Sequence, residues 1–477
     1  MRILPVSSPA VRVAVYRQDA SVSAPTSEAM EPEKLGDRLQ GPRIGVYDSH
    51  MAAWPDRDGN YLPAPQRPQF DQVQSFASAQ RTLDLLEGYA AHSLSWAFPN
   101  PQLGVVPHAG EGANAYYVRW QEAVSLYFFD SRPLGKTIQT AQSADVVSHE
   151  TGHAVLDGLK PGYGETFDRE TRAFHEAFGD CAAMLLALSR RENRVDALQT
   201  SLGNENCISR MAEEFGTAVR LANRDPGDDK PYLRTALAGF RYAPPEQLPQ
   251  DGPRDSLSAE PHSFCQVFTG AFYRALAGFY RESEPGEQGL ARSAEELGQL
   301  LLLGTRMAPP SAVRFRDVTA AMVRADELLF EGRHRSALEE AFRGAGLESD
   351  APPPPALTYA GGDDPAAWLA RHADRLGIDP AAYALGKNTM DRRDIRTLEF
   401  RQTREEEVGP GLAADVQTGL TLTFDPTGRL VHLAADLSSP ARIAAERAGL
   451  TCPGPDVELR VMADGRRKLR RLPAFRD

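Results

Sequence analysis

The pattern His149-Glu150-Thr151-Gly152-His153 constrains this chain more than any other feature of its sequence. On an α-helix, residues four apart share a face, so the imidazoles of His149 and His153 can reach one metal ion. Glu150 lies beside them, where a carboxylate can act on a water that the metal activates. Neutral imidazole nitrogens suit zinc, and a catalytic zinc site keeps one coordination position open. The pattern therefore predicts a helix that carries one catalytic Zn²⁺.

A zinc site of this kind needs a third protein ligand, and a second helix offers one. Glu176 and Asp180 are again four residues apart. We predict that Glu176 binds the metal and that Asp180 accepts a hydrogen bond from the far nitrogen of a ligand histidine. His175 is the alternative third ligand, but adjacent helical positions point about 100° apart, which favours Glu176. Positions 156 and 159, where the metzincin pattern has Gly and His, are both leucine, so that class is excluded.

These two motifs resemble those of the thermolysin-like zinc metallopeptidases, or gluzincins, in which the third ligand comes from an Asn-Glu-x-x-x-Asp helix. This chain departs from the family pattern at position 175, where His replaces Asn. The resemblance covers roughly Gly45 to Leu347 and depends on a few short motifs. It implies an α+β fold, with a small strand-containing N-terminal lobe and a mainly helical C-terminal lobe, and the hydrolysis of peptide bonds.

The resemblance also implies residues that bind the substrate. In that family an Asn-Ala-aromatic-aromatic edge strand pairs with the peptide backbone, and Asn114 and Ala115 match it. Arg234 would bind the substrate carbonyl, and His262 would donate a hydrogen bond to the developing oxyanion. Tyr163 would help to hold the scissile carbonyl oxygen. The alternatives are an ordinary hairpin, a surface arginine, a histidine at a helix N-terminus and a packed loop tyrosine.

Two further family features are incomplete in this sequence. The family orients its catalytic histidine with an upstream carboxylate, and here Asp255 and Glu260 both lie near His262 without matching the usual offset. Family members often bind calcium near the metal helices, and Asp145 fits one ligand position. Ala187, however, stands where a second carboxylate is expected. Calcium needs a rich set of oxygen ligands, so we predict that this site is lost or much weakened.

The chain divides into a large domain and a smaller one at a run of prolines. We expect an irregular segment over 1–44, a peptidase domain over 45–348, a proline-rich linker over 349–356 and a small α+β or all-β domain over 357–477. Apolar periodicity and turn residues predict the elements. Helices are expected over 70–95, 145–158, 168–190, 204–223, 263–281, 293–305, 316–330, 335–343 and 365–376, and strands over 112–120, 123–129, 420–433 and 457–472.

The last strand pair carries a turn signal and a group of positive charges. Asp464-Gly465 is typical of a tight hairpin turn. The basic side chains around it form either a solvated hairpin face or a surface for an anionic partner: Arg466, Arg467, Lys468, Arg470 and Arg471.

Composition excludes some classes of partner. The net charge of −12 argues against a general binder of nucleic acid or anionic membranes. No apolar run approaches transmembrane length, and residues 1–25 lack the features of a signal peptide, so we expect a cytoplasmic protein. This differs from the gluzincin family, whose members are typically exported. Cys181 and Cys265 lie in apolar contexts that favour buried free thiols, whereas Cys207 and Cys452 have no paired spacing.

Three functions fit the pattern to different degrees. The first is a zinc endopeptidase acting on a peptide or protein substrate. The second is an aminopeptidase, but the Gly-x-Met-x-Asn strand that such enzymes use is absent upstream of His149. The third is a catalytically silent peptide-binding protein. Loss of Glu150 or His262 would indicate silence, and both are present.

Overall fold

The computed structural model describes residues 10–223, 230–349, 352–409, 412–436, 457–462, 467–471 and 474–476. It mixes helices and strands, and its C-terminal part is rich in strands, which agrees with the predicted α+β class. The helices are α1 (Pro32–Leu35), α2 (Pro68–Ala90), α3 (Ala144–Leu159), α4 (Arg169–Ser189), α5 (Arg191–Thr200), α6 (Glu213–Asn223), α7 (Pro261–Glu282), α8 (Glu287–Met307), α9 (Phe315–Phe330), α10 (Arg335–Ala345) and α11 (Pro365–Leu376).

The strands fall into one mixed sheet, one larger C-terminal sheet and three short pairs. They are β1 (Val11–Val15), β2 (Thr26–Met30), β3 (Ile44–Val46), β4 (Leu103–Val106), β5 (Ala115–Val118), β6 (Ala123–Leu126), β7 (Phe128–Ser131), β8 (Lys136–Gln139), β9 (Arg210–Met211), β10 (Arg234–Thr235), β11 (Ala384–Met390), β12 (Arg396–Gly409), β13 (Leu412–Phe424), β14 (Leu430–Asp436), β15 (Val457–Val461), β16 (Arg467–Arg471) and β17 (Ala474–Arg476).

Two predictions of secondary structure are wrong. The helix expected over 204–223 begins only at Glu213, because Asn206 holds a turn in which its side chain accepts hydrogen bonds from the Ile208 and Ser209 amides. Asparagine favours such turns over helix because its side chain competes for the backbone. The segment expected to be irregular over 1–44 contains the antiparallel pair β1–β2. The predicted Asp464-Gly465 turn lies outside the described residues.

The mixed sheet has the strand order β17-β5-β6-β4-β3. Strands β3, β4 and β6 run parallel, whereas β5 is antiparallel to β6 and β17 is antiparallel to β5. Strand β5 packs on α3, where the Tyr117 hydroxyl donates a 2.8 Å hydrogen bond to Asp157. The sheet therefore places β5, which β17 covers on its outer side, next to the helix that carries the His-Glu-x-x-His pattern.

Helix α3 is buried along its whole length and packs between α2 and α4. Ser143 begins it by accepting a hydrogen bond from the Val146 amide, and Asp168 begins α4 by accepting one from Thr171. At Gly152 an added Cβ would lie only 3.0 Å from the Ala182 Cβ of α4. The glycine therefore lets α3 and α4 approach closely enough for side chains at their facing surfaces to converge.

The C-terminal strands have their own small apolar core and also bind the helical body. Trp368 on α11 packs with Phe424 on β13 in that core. At the junction with the body, the Lys160 ammonium is fully buried and donates to Glu399 on β12 and to the carbonyls of Arg306 and Ala308, at 2.8–2.9 Å. Buried charge-assisted hydrogen bonds thus join the strand-rich part to the C-terminal end of α3.

Candidate metal centre

Three side chains predicted to bind a metal converge between α3 and α4. His149 Nε2 lies 3.2 Å from Glu176 Oε2, and His153 Nε2 lies 3.6 Å from Glu176 Oε1. The three residues are 0–5 % exposed. Helical spacing places the two histidines on one face of α3, and the close packing of α4 brings Glu176 to them. This buried group could hold a metal ion.

The donor set and its spacing fit a tetrahedral transition metal. Ligands at the usual 2.0–2.1 Å from zinc are about 3.3 Å apart in a tetrahedron. The two nitrogen-to-oxygen distances bracket that value. Two imidazole nitrogens and one carboxylate oxygen also match the composition of many catalytic zinc sites. A hard ion such as calcium would require more oxygen ligands than this group supplies.

Each ligand histidine has a partner at its other ring nitrogen. His149 Nδ1 lies 3.1 Å from Asp180 Oδ1, as the sequence predicted for this pair. His153 Nδ1 lies 2.9 Å from His175 Nδ1. Such outer partners fix the tautomer, so that Nε2 of each histidine faces the common point. His175 therefore lies behind His153 and supplies it with a polar partner.

The close approach of His149 to α4 depends on Gly179. A Cβ at this position would lie 2.7 Å from the His149 ring. The imidazole occupies that space and contacts the helix backbone. Any larger residue would push His149 away from Asp180 and Glu176, so we attribute the glycine at position 179 to the packing of the His149 ring.

Asp180 is held in its charged form at the base of the site. Burial would raise the pKa of its carboxyl, but the Arg234 guanidinium and His149 outweigh burial and hold that pKa well below its ordinary value. Arg234 Nη2 donates to Asp180 Oδ1 at 2.8 Å, and the Thr269 hydroxyl lies 3.2 Å from Oδ2. Arg234, predicted to bind a substrate carbonyl, is thus placed beside the metal-binding group by an ion pair.

His262 points its ring at the same cluster from the start of α7. His262 Nε2 lies 3.4 Å from Glu176 Oε2, and its Nδ1 lies 2.6 Å from Glu260 Oε1. The other Glu260 oxygen caps α7 by accepting from the Ser263 amide at 3.0 Å. Burial raises the pKa of the Glu260 carboxyl, but the bond to His262 dominates and lowers it to about 2.

The sequence left the orienting partner of His262 open between Asp255 and Glu260, and the structure selects Glu260. Asp255 instead pairs with Lys230 at 2.9 Å. The signal was available in Glu260-Pro261-His262: proline favours the first helical position, so the residue before it is the N-cap. A glutamate there can reach both the amide of residue 263 and the ring of residue 262.

Glu150 lies on α3, and the predicted substrate strand packs against that helix. Glu150 follows His149 on α3 and is fully buried. Ala115 begins β5, and the Asn114 side chain accepts a 2.9 Å hydrogen bond from the Ala115 amide. Because β5 packs on α3, the structure brings this strand close to the metal helix.

Tyr163 does not join this group. Its side chain is fully buried, and its hydroxyl donates a 2.7 Å hydrogen bond to the Pro309 carbonyl. Burial, followed by nearby carboxylates, raises the pKa of that hydroxyl well above its ordinary value. The catalytic role predicted for Tyr163 is therefore replaced by a packing role in which the hydroxyl satisfies a buried backbone carbonyl.

Asp145, the predicted remnant of a calcium site, is also buried. Its Oδ2 accepts hydrogen bonds from Gln18 at 3.2 Å and from the Ala212 amide at 3.3 Å. Burial, followed by the charge of Asp19, raises the pKa of its carboxyl to about 7. Among the described residues, two groups of three or more metal-binding side chains lie close together, and Asp145 belongs to neither.

The remaining expectations concern compartment and membrane. Cys181 and Cys265 are buried free thiols, as predicted, and Cys207 is free and partly buried, whereas Cys452 lies outside the described residues.

Across the described ranges, no helix is both long and apolar enough to cross a bilayer. The strand Arg467–Arg471 pairs with Val457–Val461, but Arg466 lies outside the described residues.

No protein-family model matches the sequence, and no curated protein matches it significantly.

Proposed function

We propose that this chain is a zinc-dependent endopeptidase with a thermolysin-like catalytic domain. The observation that carries the proposal is the buried convergence of His149, His153 and Glu176, with His262 Nε2 3.4 Å from the Glu176 carboxylate. A structural zinc site would be closed by four protein ligands, whereas this one has three and a catalytic-type histidine beside it. The zinc, the thermolysin-like fold and the peptide substrate are all parts of the proposal.

The metal would be held by His149, His153 and Glu176. When bound, zinc supplies Lewis acidity, which polarises a carbonyl and makes a water nucleophilic near neutral pH. Asp180 and His175 keep the two imidazoles in the tautomers that leave Nε2 unprotonated for the metal. The chain thus provides a rigid and mostly buried ligand set.

The chain's other residues supply the acid–base and electrostatic parts of the reaction. A Glu150 carboxylate oxygen takes a proton from the attacking water and passes it to the leaving amine nitrogen as the C–N bond breaks. His262 donates from Nε2 to the oxyanion that develops on the carbonyl, while Glu260 holds its Nδ1 proton. The edge strand from Asn114 and Ala115 binds the peptide backbone, and Arg234 reaches the substrate carbonyl.

Metal removal tests this function on the purified full chain. Dialysis against 1,10-phenanthroline should abolish hydrolysis of casein and of a quenched fluorescent peptide, and one equivalent of Zn²⁺ should restore it where Mg²⁺ does not. Plasma emission should show that His153→Gln holds one zinc fewer than the wild type, and the variant should not hydrolyse peptide, because two ligands cannot complete the site. His372→Gln, a change on α11, is the matched control. Hydrolysis that survives chelation would contradict the proposal.

A further inference from the structure

A second group of metal-binding side chains lies away from the buried centre, at the carboxyl ends of two neighbouring parallel strands. Asp48 and His50 follow β3, and His108 follows β4, the strand hydrogen-bonded to it. Asp48 Oδ2 lies 2.9 Å from His108 Nδ1, and Asp48 Oδ1 lies 3.2 Å from His50 Nδ1. The two imidazoles contact each other with ring centroids 4.5 Å apart. As at the buried centre, one ligand atom from each of the three side chains lies within 4.8 Å of the others, close enough to hold one metal ion.

A supporting shell holds two of these ligands in place. His108 Nε2 lies 2.9 Å from Asp71 Oδ2, while Asp71 Oδ1 accepts a 2.6 Å hydrogen bond from Gln142. The Gln72 side chain donates to Asp48 Oδ2 at 2.7 Å. Histidines that bind metals characteristically donate their other ring N–H to a carboxylate, which is the relation between His108 and Asp71. A surface ion pair would not require this second layer of fixed partners.

The group is buried at its base and open on one side. The side chains of Asp48 and His108 are 4 % and 5 % exposed, whereas His50 is 45 % exposed. We infer that Asp48, His50 and His108 form a second site for a divalent transition metal ion of the zinc type. The two nitrogen donors favour such an ion over calcium or magnesium, and the open side leaves positions for water or an exogenous ligand.

Metal counting on the full chain tests this site independently of hydrolysis. After equilibration with buffered Zn²⁺, the wild type should hold one equivalent more than His50→Ala, and His372→Ala should match the wild type. Asp71→Asn should weaken the extra equivalent about 10- to 100-fold, because His108 loses its outer partner. Peptide hydrolysis should be unchanged in His50→Ala. Equal zinc contents in the wild type and His50→Ala would contradict the proposed second metal site. Asp48, His50 and His108 would then be only a hydrogen-bonded cluster.

A separate observation concerns the outer edge of the mixed sheet. Strand β17 pairs antiparallel with β5, with Ala474 opposite Val118, Phe475 opposite Tyr117 and Arg476 opposite Tyr116. Its carboxyl end therefore lies at the Ala115 end of β5. This is the edge on which the proposed function places the peptide substrate. Strand addition to one edge is exclusive, because a backbone amide or carbonyl bonded to one strand is not available to another.

We infer that the segment Ala474–Arg476 occupies the substrate-binding edge and competes with extended peptides for it. This inference rests on the proposed function, since it assigns β5 as the substrate strand. It also provides a mechanism by which the C-terminal part of the chain could control activity. Because the competitor is covalently attached, its effective concentration is high without any tight intrinsic affinity.

Backbone substitutions in the full chain test this competition. In an antiparallel pair, alternate residues bond to the neighbouring strand, so Phe475→Pro together with Arg476→Pro removes at least one bonding amide. Hydrogen exchange at the β5 amides should be faster in this variant than in the wild type or in Phe475→Ala/Arg476→Ala, which keeps both amides. A synthetic peptide of residues 470–477 should restore protection.

Hydrolysis gives the second readout and separates the two ideas. If the peptidase activity and the strand competition are both correct, the KM of the proline variant for a peptide substrate should be about tenfold lower than that of the wild type, with kcat little changed. The synthetic peptide should then inhibit the variant competitively. Faster exchange in the proline variant, with no hydrolysis by any variant, would contradict the proposed peptidase activity but support the pairing of Ala474–Arg476 with β5. Unchanged exchange and unchanged KM in the proline variant would overturn the competition while leaving the peptidase intact.

Discussion

Glu150→Gln is expected to reduce peptide hydrolysis by about 10²- to 10⁴-fold, the usual contribution of a general acid–base group. Glutamine keeps the size of glutamate but cannot accept the proton from the attacking water. The buried metal group does not include Glu150, so zinc content should equal that of the wild type. The expected result is therefore a folded, metal-loaded protein that still binds peptide but does not turn it over.

Steady-state kinetics and metal analysis on the same preparation check this prediction. The loss should appear in kcat with little change in KM, because the proton transfer occurs in the transition state and not in substrate binding. Glu192→Gln, an exposed change of the same chemistry on α5, should behave as the wild type. A Glu150→Gln variant with full activity and the zinc content of the wild type would remove Glu150 from the mechanism and leave the metal group without a general base.

The parts of this site that could be predicted from sequence are those fixed by helical spacing. His149 and His153 lie on one face of α3 because residues four apart must do so, and Glu176 and Asp180 repeat that relation on α4. The approach of the two helices follows from two small residues: Gly152 leaves room for α4, and Gly179 leaves room for the His149 ring. Local rules therefore define each half of the centre, and close packing joins them.

The parts that could not be predicted depend on contacts between distant segments. Nothing local in the sequence says that the Tyr163 hydroxyl will meet the Pro309 carbonyl and so turn away from the site. The pairing of β17 with β5 joins residues more than 350 positions apart and includes no turn signal that could reveal it. The group of Asp48, His50 and His108 that we propose as a second metal site likewise forms because β3 and β4 are neighbours in the sheet.

The junction between the strand-rich part and α3 also depends on contacts between distant segments that the sequence does not reveal. It is the basis of a second prediction with a large expected effect. Lys160 immediately follows α3, and the sequence offers no reason to expect a buried lysine there. Burial lowers the pKa of its ammonium, and the Glu399 carboxylate opposes that shift. Glu399 is also bonded to Arg401 Nε at 2.8 Å. The lysine is thus the donor that satisfies two carbonyls and one carboxylate at once.

Lys160→Met is expected to destabilise the protein by about 3–5 kcal/mol, the usual loss when one partner of a buried ion pair is removed. Methionine fills much of the space but leaves the carbonyls of Arg306 and Ala308 and one Glu399 oxygen without their donor. Calorimetric melting of the wild type and the variant measures the effect. Arg281→Met is the matched control, because its ion pair with Glu340 is mostly exposed and should contribute nothing measurable.

The same experiment tests whether the junction supports the metal centre. Lys387 on β11 donates a 2.7 Å hydrogen bond to the Leu159 carbonyl at the end of α3, so the strand-rich part contacts the end of that helix at the buried Lys160 and at the partly buried Lys387. Loss of the Lys160 contacts should therefore lower the melting temperature of the segment that carries His149 and His153, and zinc should be released in the same transition. A variant that melts like the wild type would show that this junction adds little to stability. Zinc release well above the first transition would show that the metal helix folds independently of the C-terminal strands.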